Sequence, residues 1–292
     1  MTDTTAHVSP AGGRRSAVRL FSAASRVPVS VVLSGLVVLF FVVAAVAPRL
    51  LSTHSAFDTD LLSSLTPPSA DHWLGTDDIG RDLYSRIIWG TRGSLLIGLG
   101  AMAVAFAGAT LLGFAAALAA RWIAQPVNRI LDILLAFPTL LLALLFVALL
   151  GPSPTSLLIS VGLGTTPGYA RLIRAQTLKV KQSAYVEAAR ALGHPWRAVF
   201  IQHIAPNAFR PLVGLVALGI GQSVVWASGL SFLGLGVAPP SPEWGALLEA
   251  GKASITAAWW LEIFPGVAIV LVALSFTQIG QYIQDLAEGN TH

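Results

Sequence analysis

The 292-residue sequence predicts an all-α integral membrane protein with six transmembrane helices and both termini in the cytoplasm. Three observations lead there. Hydrophobic residues make up 54% of the chain and charged residues only 11%. Soluble domains carry roughly 25% charge, so this chain lacks the polar residues to cover a water-facing surface. Uncharged apolar runs long enough to cross a bilayer core of about 30 Å recur along it. When six crossings are drawn, 13 of the 18 Lys and Arg residues fall on one side, the bias that marks a cytoplasmic face.

The elements follow in order. Residues 1–28 form a polar cytoplasmic segment with Arg14, Arg15, Arg19 and Arg26, its first 25 residues expected to be mobile. The apolar run behind it is too long for a signal-peptide core and reads as a retained anchor, opening a transmembrane domain over 29–292. Val29 to Pro48 is the first span. An external loop over 49–93 carries Asp58, Asp60, Asp71, Asp77, Asp78 and Asp82. Ser94 to Ala120 is the second span, about 40 Å if helical throughout, and it tilts or extends past the lipid. A turn at 121–131 follows.

Ile133 to Ala170 is uncharged, but Gly151 to Thr155 reads GPSPT and splits it into spans ending near Leu150 and starting near Ser156. Gly162, Gly164, Pro167 and Gly168 loosen the second of these. A re-entrant segment is the alternative there. It would place the basic 171–211 loop opposite the basic N-terminus, so a crossing is the better account. Leu212 to Leu235 and Ile263 to Gln284 complete the six. Between them, Trp244, Trp259 and Trp260 suit anchorage at headgroup level on the outer side.

Composition excludes several functions. The chain has no cysteine, hence no disulfide, thiolate metal site or thiol catalysis. Its net charge of +4 sits in short stretches beside apolar runs, which points to membrane lipid and not to nucleic acid. Gly245 to Lys252 is the nearest approach to a phosphate loop, with its glycines one position too far apart and Ala253 where a magnesium-binding hydroxyl belongs. His194 and His203 lack a carboxylate at ligand spacing and read as surface residues, so no metal, catalytic or cofactor site is expected. Gly162-Leu-Gly164 and Gly234-Leu-Gly236 suit close helix packing or bends better than a dinucleotide site.

Charges near the lipid are costly and draw attention. Asp132 opens the third span three residues after Arg129, and an ion pair or a role in a pathway are both open. Arg171 and Arg174 end the fourth span and snorkel to the cytoplasmic surface. Glu262 opens the last span at the outer face, as a solvated cap or an outer gate.

The 171–211 loop is the most informative region. Tyr185-Val-Glu-Ala-Ala-Arg-Ala-Leu-Gly193 contains strong helix formers, and Gly193 followed by Pro195 suits a stop and a sharp turn. A second helix runs from Trp196 until Pro206 interrupts it. Ala188 and Ala189 are small enough for another surface to come close. The plainer reading is a solvated helix with a Glu187–Arg190 ion pair.

Glu187-Ala-Ala, Gly193 six residues on, and Ile204-Ala-Pro206 resemble the EAA loop of binding-protein-dependent ABC importer permeases. The likeness extends to His72–Asp82, Arg129–Pro138, Ser231–Pro240 with Trp244-Gly245, and Trp259–Gly266, segments similar to those of dipeptide, oligopeptide and nickel permeases. Ala205, where the family usually has Leu, and Gln278–Asp285 depart from the pattern. The resemblance implies the second permease subunit of such an importer, with the type I ABC importer permease fold, in the cell membrane. It implies an ATPase-coupling loop at Tyr185, Glu187, Ala188, Ala189, Arg190, Gly193, His194 and Pro206; Glu262 and Asp132, by their charge near the lipid alone, are the candidates for the pathway or outer gate. It implies a homologous permease, two ATPase subunits and an extracytoplasmic substrate-binding protein as partners. ATP and Mg would be bound by those ATPases, with no cofactor and no catalysis in this chain. Peptide is the implied substrate, nickel the rival. A stand-alone secondary transporter or channel is the rival of another class.

Overall fold

The computed structural model describes residues 27–288; the basic leader and its expected mobility lie outside them. The described chain is helical, with one isolated β-bridge between Thr76 and Asp82. Helix α1 spans Val29–Val46, α2 Leu83–Leu118, α3 Arg121–Leu135, α4 Thr139–Leu150 and α5 Pro154–Lys181. Helix α6 spans Ala184–Ala191, α7 Val213–Leu230, α8 Trp244–Gly251 and α9 Trp260–Glu288.

Residue pairings fix the directions of the rods. Gly100, Gly108 and Gly113 of α2 face Leu158, Thr166 and Ile173 of α5, so these two run parallel. Gly98 faces Val224 and Gly219 faces Met102, which sets α7 antiparallel to α2. Gly214 and Gly221 meet Gly280 and Ala273, setting α9 antiparallel to α7. Residues 49–82 and 236–259 gather at one end of the bundle, the loop end. Residues 182–212 project at the other, the elbow end.

Small residues explain the close crossings. Apolar side chains gain nothing by leaving apolar lipid, so helices in a bilayer associate through close backbone packing and shape. A Cβ added at Gly214 would lie 2.4 Å from the Gly280 carbonyl oxygen, and one at Gly280 would lie 2.6 Å from that of Gly214. The Gly162-Leu-Gly164 stretch behaves as expected: Gly162 abuts Val104 and the Ala101 carbonyl, and Gly164 abuts Ala143.

Among the described residues, Val29–Val46, Leu83–Leu118, Trp196–Leu235 and Trp260–Ala287 are long and apolar enough to cross a membrane. The α3–α4 pair adds a fifth candidate, bent by 100°. Helix α5 is an unbroken 28-residue rod despite Pro167, with Ser160, Thr166 and Thr177 buried against its neighbours. Its central position relieves it of facing lipid on every side, and Thr166 and Thr177 satisfy their hydroxyls on the Gly162 and Ile173 carbonyls.

Four expectations are corrected. The second helix begins at Leu83, not Ser94; its 36 residues give about 54 Å, longer than a bilayer core of about 30 Å, and its first turns pack into the loop end. Residues 121–131 are not a turn but the start of α3, whose polar residues recur at helical spacing. The run from Ile133 to Leu150 is not one helix: Pro138 disfavours helical geometry at the residue before it, and α3 and α4 break at 136–138. Trp244 and Trp260 are not headgroup anchors. Both are buried, because their indole N–H groups donate to the Ile87 and Thr76 carbonyls inside the protein; of the three, Trp259 alone is exposed.

Candidate functional site

The elbow is built by two helix pieces on a small apolar core. Helix α6 ends as the Gly193 spacing predicts. Gly193 has φ +81°, its N–H donates to the Arg190 carbonyl at 3.0 Å, and the His194 N–H donates to that of Ala189 at 3.2 Å. This is the paired bonding of a glycine-terminated helix, in which a left-handed residue satisfies the last carbonyls. Pro195 then opens Trp196–Val199.

Pro206 does not interrupt the second helix. The backbone widens into a π-turn over Phe200–Ile204, with the Ala205 N–H reaching back five residues to Phe200, and continues through Ala205–Phe209 and Arg210–Leu212 into α7. The wider turn accommodates the proline ring and its missing N–H, a common use of such bulges. The second helix of the elbow and α7 therefore form one helical run from Trp196 to the kink at Gly234, which has φ +80°.

Val186, Ala189, Val199, Ile204 and Ala208 form the elbow core with Val180, and Phe114, Leu118 and Phe200 pack against it. Ala189 thus faces inward, and only Ala188 of the alanine pair offers room to an approaching surface. Tyr185, Glu187, Arg190, Gly193, His194 and Pro206 are exposed. So are Leu192, at 79%, and Trp196, at 43%. A concavity of about 640 Å³ lies beside them, lined by Lys181, Gln182, Glu187, Arg190 and Ala191. The Glu187–Arg190 ion pair is not among the described salt bridges; Arg190 instead lies over the Trp196 ring, 5.8 Å from its centroid. Leu192 and Trp196 thus form an exposed apolar patch set among charges on a packed base. The Phe114 ring meets Phe200 at 5.2 Å and Phe209 at 5.4 Å, tying the elbow to α2.

A second feature is a groove of about 460 Å³ between α3–α4, α5 and α7. Leu134, Phe137, Pro167, Leu172, Leu215 and Trp226 give it apolar walls, and Thr139, Thr165, Tyr169 and Gln222 supply polar atoms. The indole N–H of Trp226 is buried without a hydrogen-bond partner. Neither Asp132 nor Glu262 lines this groove. Asp132 pairs not with Arg129 but with Arg171 of α5 at 3.2 Å, both side chains more than half exposed. Glu262 is partly buried at the loop end beside Gly251, with Lys252 nearby.

The loop end holds polar residues that the sequence marked as an acidic bias and, over His72–Asp82, as a family likeness, without roles for single residues. Asp77 is buried and accepts from the Arg81 N–H at 2.9 Å and Arg81 Nε at 2.7 Å, with Arg86 Nε at 3.5 Å. Asp60 stays exposed; the Ser63 hydroxyl, then the Leu62 N–H, hold its carboxyl below the ordinary carboxylate range. Glu243, not singled out by the sequence, is 2% exposed. It accepts from Ser94 Oγ, Ser231 Oγ and the N–H groups of Gly245 and Ala246, capping α8. Its signal was available: an acidic residue directly before a helical run.

Comparison with known proteins adds the following. Residues 109–290 match the family described as binding-protein-dependent transport system inner membrane component. The chain is 39% identical to the dipeptide transport system permease protein DppC of Alkalihalophilus pseudofirmus, over 86% of this chain and 82% of that one. It is 39% identical to the glutathione transport system permease protein GsiD of Pectobacterium atrosepticum, over 87% and 85%. It is 38% identical to the probable D,D-dipeptide transport system permease protein DdpC of Escherichia coli, over 89% and 87%. The fold is similar to that of the inward-facing MetNI methionine ABC transporter, with a TM-score of 0.53 and 15% identity, over 68% of this chain and 96% of that one.

Proposed function

We propose a function from one premise: the chain belongs to the family of binding-protein-dependent transport system inner membrane components and is a multi-pass membrane protein. It works as one of two permease subunits of an ABC importer for dipeptides or other short peptides. Its relatives, named as dipeptide, D,D-dipeptide and glutathione transport permeases, support that substrate class. The observation that carries the mechanism is the exposed elbow of residues 184–197, seated on an apolar core, whose second helix runs on into α7.

The complex consists of this chain, a homologous permease, two ATPase subunits and an extracytoplasmic substrate-binding protein. ATP and Mg sit on the ATPases. Six crossings place the loop end outside and the elbow in the cytoplasm, which agrees with the charge bias. The elbow seats Leu192 and Trp196 in an ATPase cleft, with Glu187 and Arg190 at its rim. Closure of the ATPases pushes the elbow. Because Phe114, Phe200 and Phe209 clamp it to α2, the push turns α2 and α7 as rods, not as a flexible loop. The groove walled by Pro167, Trp226 and Gln222 forms this chain's half of the pathway and switches between inward and outward access. Its apolar walls and scattered polar atoms suit peptides of varied side chain, held through their backbone amides.

The test is uptake of labelled dipeptides, longer peptides and nickel in a strain lacking the chain, with and without its restoration. Restored peptide uptake is expected. Nickel uptake alone would overturn the substrate reading. Failure of the purified chain to bring down an ATPase subunit would overturn the mechanism and favour a stand-alone transporter.

A further inference from the structure

At the loop end three side chains with metal-ligating atoms converge: His54, His72 and Asp82, one ligand atom of each lying within 4.8 Å of the others. His72 Nδ1 is 3.0 Å from Asp82 Oδ1, and His54 Nδ1 is 3.8 Å from the same oxygen. Around a zinc ion with bonds of roughly 2.0–2.1 Å in a tetrahedral arrangement, adjacent ligand atoms stand about 3.3 Å apart. The two measured spacings bracket that value. A rotation of the 44% exposed His54 ring closes the difference, its Nδ1 leaving the Thr53 hydroxyl, now at 3.1 Å, for the ion.

The surroundings are those of a built site. Asp82 is 1% exposed at its side chain, so a carboxylate lies at the base of the cluster. Its second oxygen accepts from the Ser85 N–H at 2.8 Å as the cap of α2. The Ser85 hydroxyl in turn accepts from the His54 N–H at 3.0 Å, so one serine orients two of the three ligand residues. Outer partners of this kind fix ligand direction. The stretch between His72 and Asp82 is held by Gly75 N–H to the His72 carbonyl, Leu83 N–H to the Gly75 carbonyl, and Asp77 N–H to the Arg81 carbonyl, each at 3.0 Å. Two imidazoles and one carboxylate are the donor set of a borderline divalent transition ion, not of calcium or magnesium, which take oxygen ligands.

We propose that His54, His72 and Asp82 bind one divalent transition metal ion of the zinc class, with the fourth position open to water on the exposed side. The ion replaces the His72–Asp82 hydrogen bond. It pins residues 52–56, which leave α1, to the first turn of α2, stiffening the end of the bundle that the proposed mechanism presents to a binding protein. The site itself does not depend on that mechanism.

The test uses the intact complex, purified without a polyhistidine tag and stripped with a chelator. Isothermal titration with Zn²⁺ is expected to show one more equivalent in wild type than in His54→Ala. His72→Ala should lose at least about 10-fold in affinity, since even loss of an outer partner costs that much. Co²⁺ should give intense visible absorption with wild type and not with His54→Ala. The variant His203→Ala at the elbow should bind as wild type does. Equal zinc stoichiometry and affinity in wild type and His54→Ala would overturn the proposal. A measurement on the unmutated complex guards against misfolded variants: Zn²⁺ should protect His54 and His72 from diethyl pyrocarbonate, and unprotected histidines would equally sink the site.

Discussion

The carboxylate of Glu243 and the hydroxyl of Ser94, 149 residues apart in sequence, meet at 3.2 Å inside the loop end. The same hydroxyl accepts from the Trp244 N–H at 3.0 Å, and the other carboxylate oxygen takes Ser231 at 2.7 Å. Four donors converge on one buried acid, and through it α2, α7 and α8 are joined. Glu243→Ala should lower stability by about 2 kcal/mol or more, because it removes a helix cap and strands buried hydroxyls. Thermal unfolding of the detergent-solubilised complex measures this. Ser231→Ala should cost less than Glu243→Ala; a larger loss would contradict the central place given to the acid.

The α7–α9 crossing rests on backbone contact at Gly214 and Gly280. Gly214→Ala and Gly280→Ala should each destabilise the complex, since the added carbon meets a carbonyl and not a movable side chain. At Gly229 nothing lies within 4 Å, so Gly229→Ala should be neutral or gain up to about 1 kcal/mol from helix propensity. Equal effects at all three positions would refute the packing argument.

Phe114 is the link between elbow and bundle. Phe114→Ala is expected to leave the ATPase docked while peptide uptake per ATP hydrolysed falls several-fold. Reconstituted proteoliposomes read both quantities. An unchanged ratio would mean that force travels by another route.

On the elbow itself, Glu187→Ala and Gly193→Trp should abolish uptake while membrane insertion stays intact. Gly193→Ala should be milder: the space is open, and the cost is the roughly 1–2 kcal/mol of holding φ +81° with a Cβ. Normal transport and ATPase stimulation by the tryptophan variant would refute the docking surface.

The Asp132–Arg171 pair is exposed on both sides. Exposed ion pairs contribute about 0–1 kcal/mol, so Asp132→Ala should shift the unfolding temperature little and leave uptake unchanged. Loss of transport with unchanged stability would return Asp132 to the pathway.

Much of this was legible in residue order. The glycine stop at 193, the GPSPT break and the apolar runs are local features, and local chemistry decides them. What misled the reading were places where a local rule met a neighbour. Pro206 reads as a breaker, yet a π-turn absorbs it because the elbow core holds the backbone on both sides. Trp244 reads as an interfacial anchor, yet it lies in the core because Ile87, 157 residues away, offers a carbonyl. Ala189 reads as exposed with Ala188, but one helical step turns it into the Val186–Ile204 cluster.

The sequence by itself determined that this chain lives in a membrane, where its main apolar runs lie and which family it resembles, because hydropathy, charge bias and turn residues act over a few neighbouring positions. Only the tertiary structure decided which polar groups are buried together. Glu243 meets Ser94 because helices far apart in the chain come together through close glycine contacts, and His54 meets Asp82 because the loop end folds back on the start of α2, whereas Asp77 with Arg81 is a contact between neighbours four residues apart that Arg86 joins.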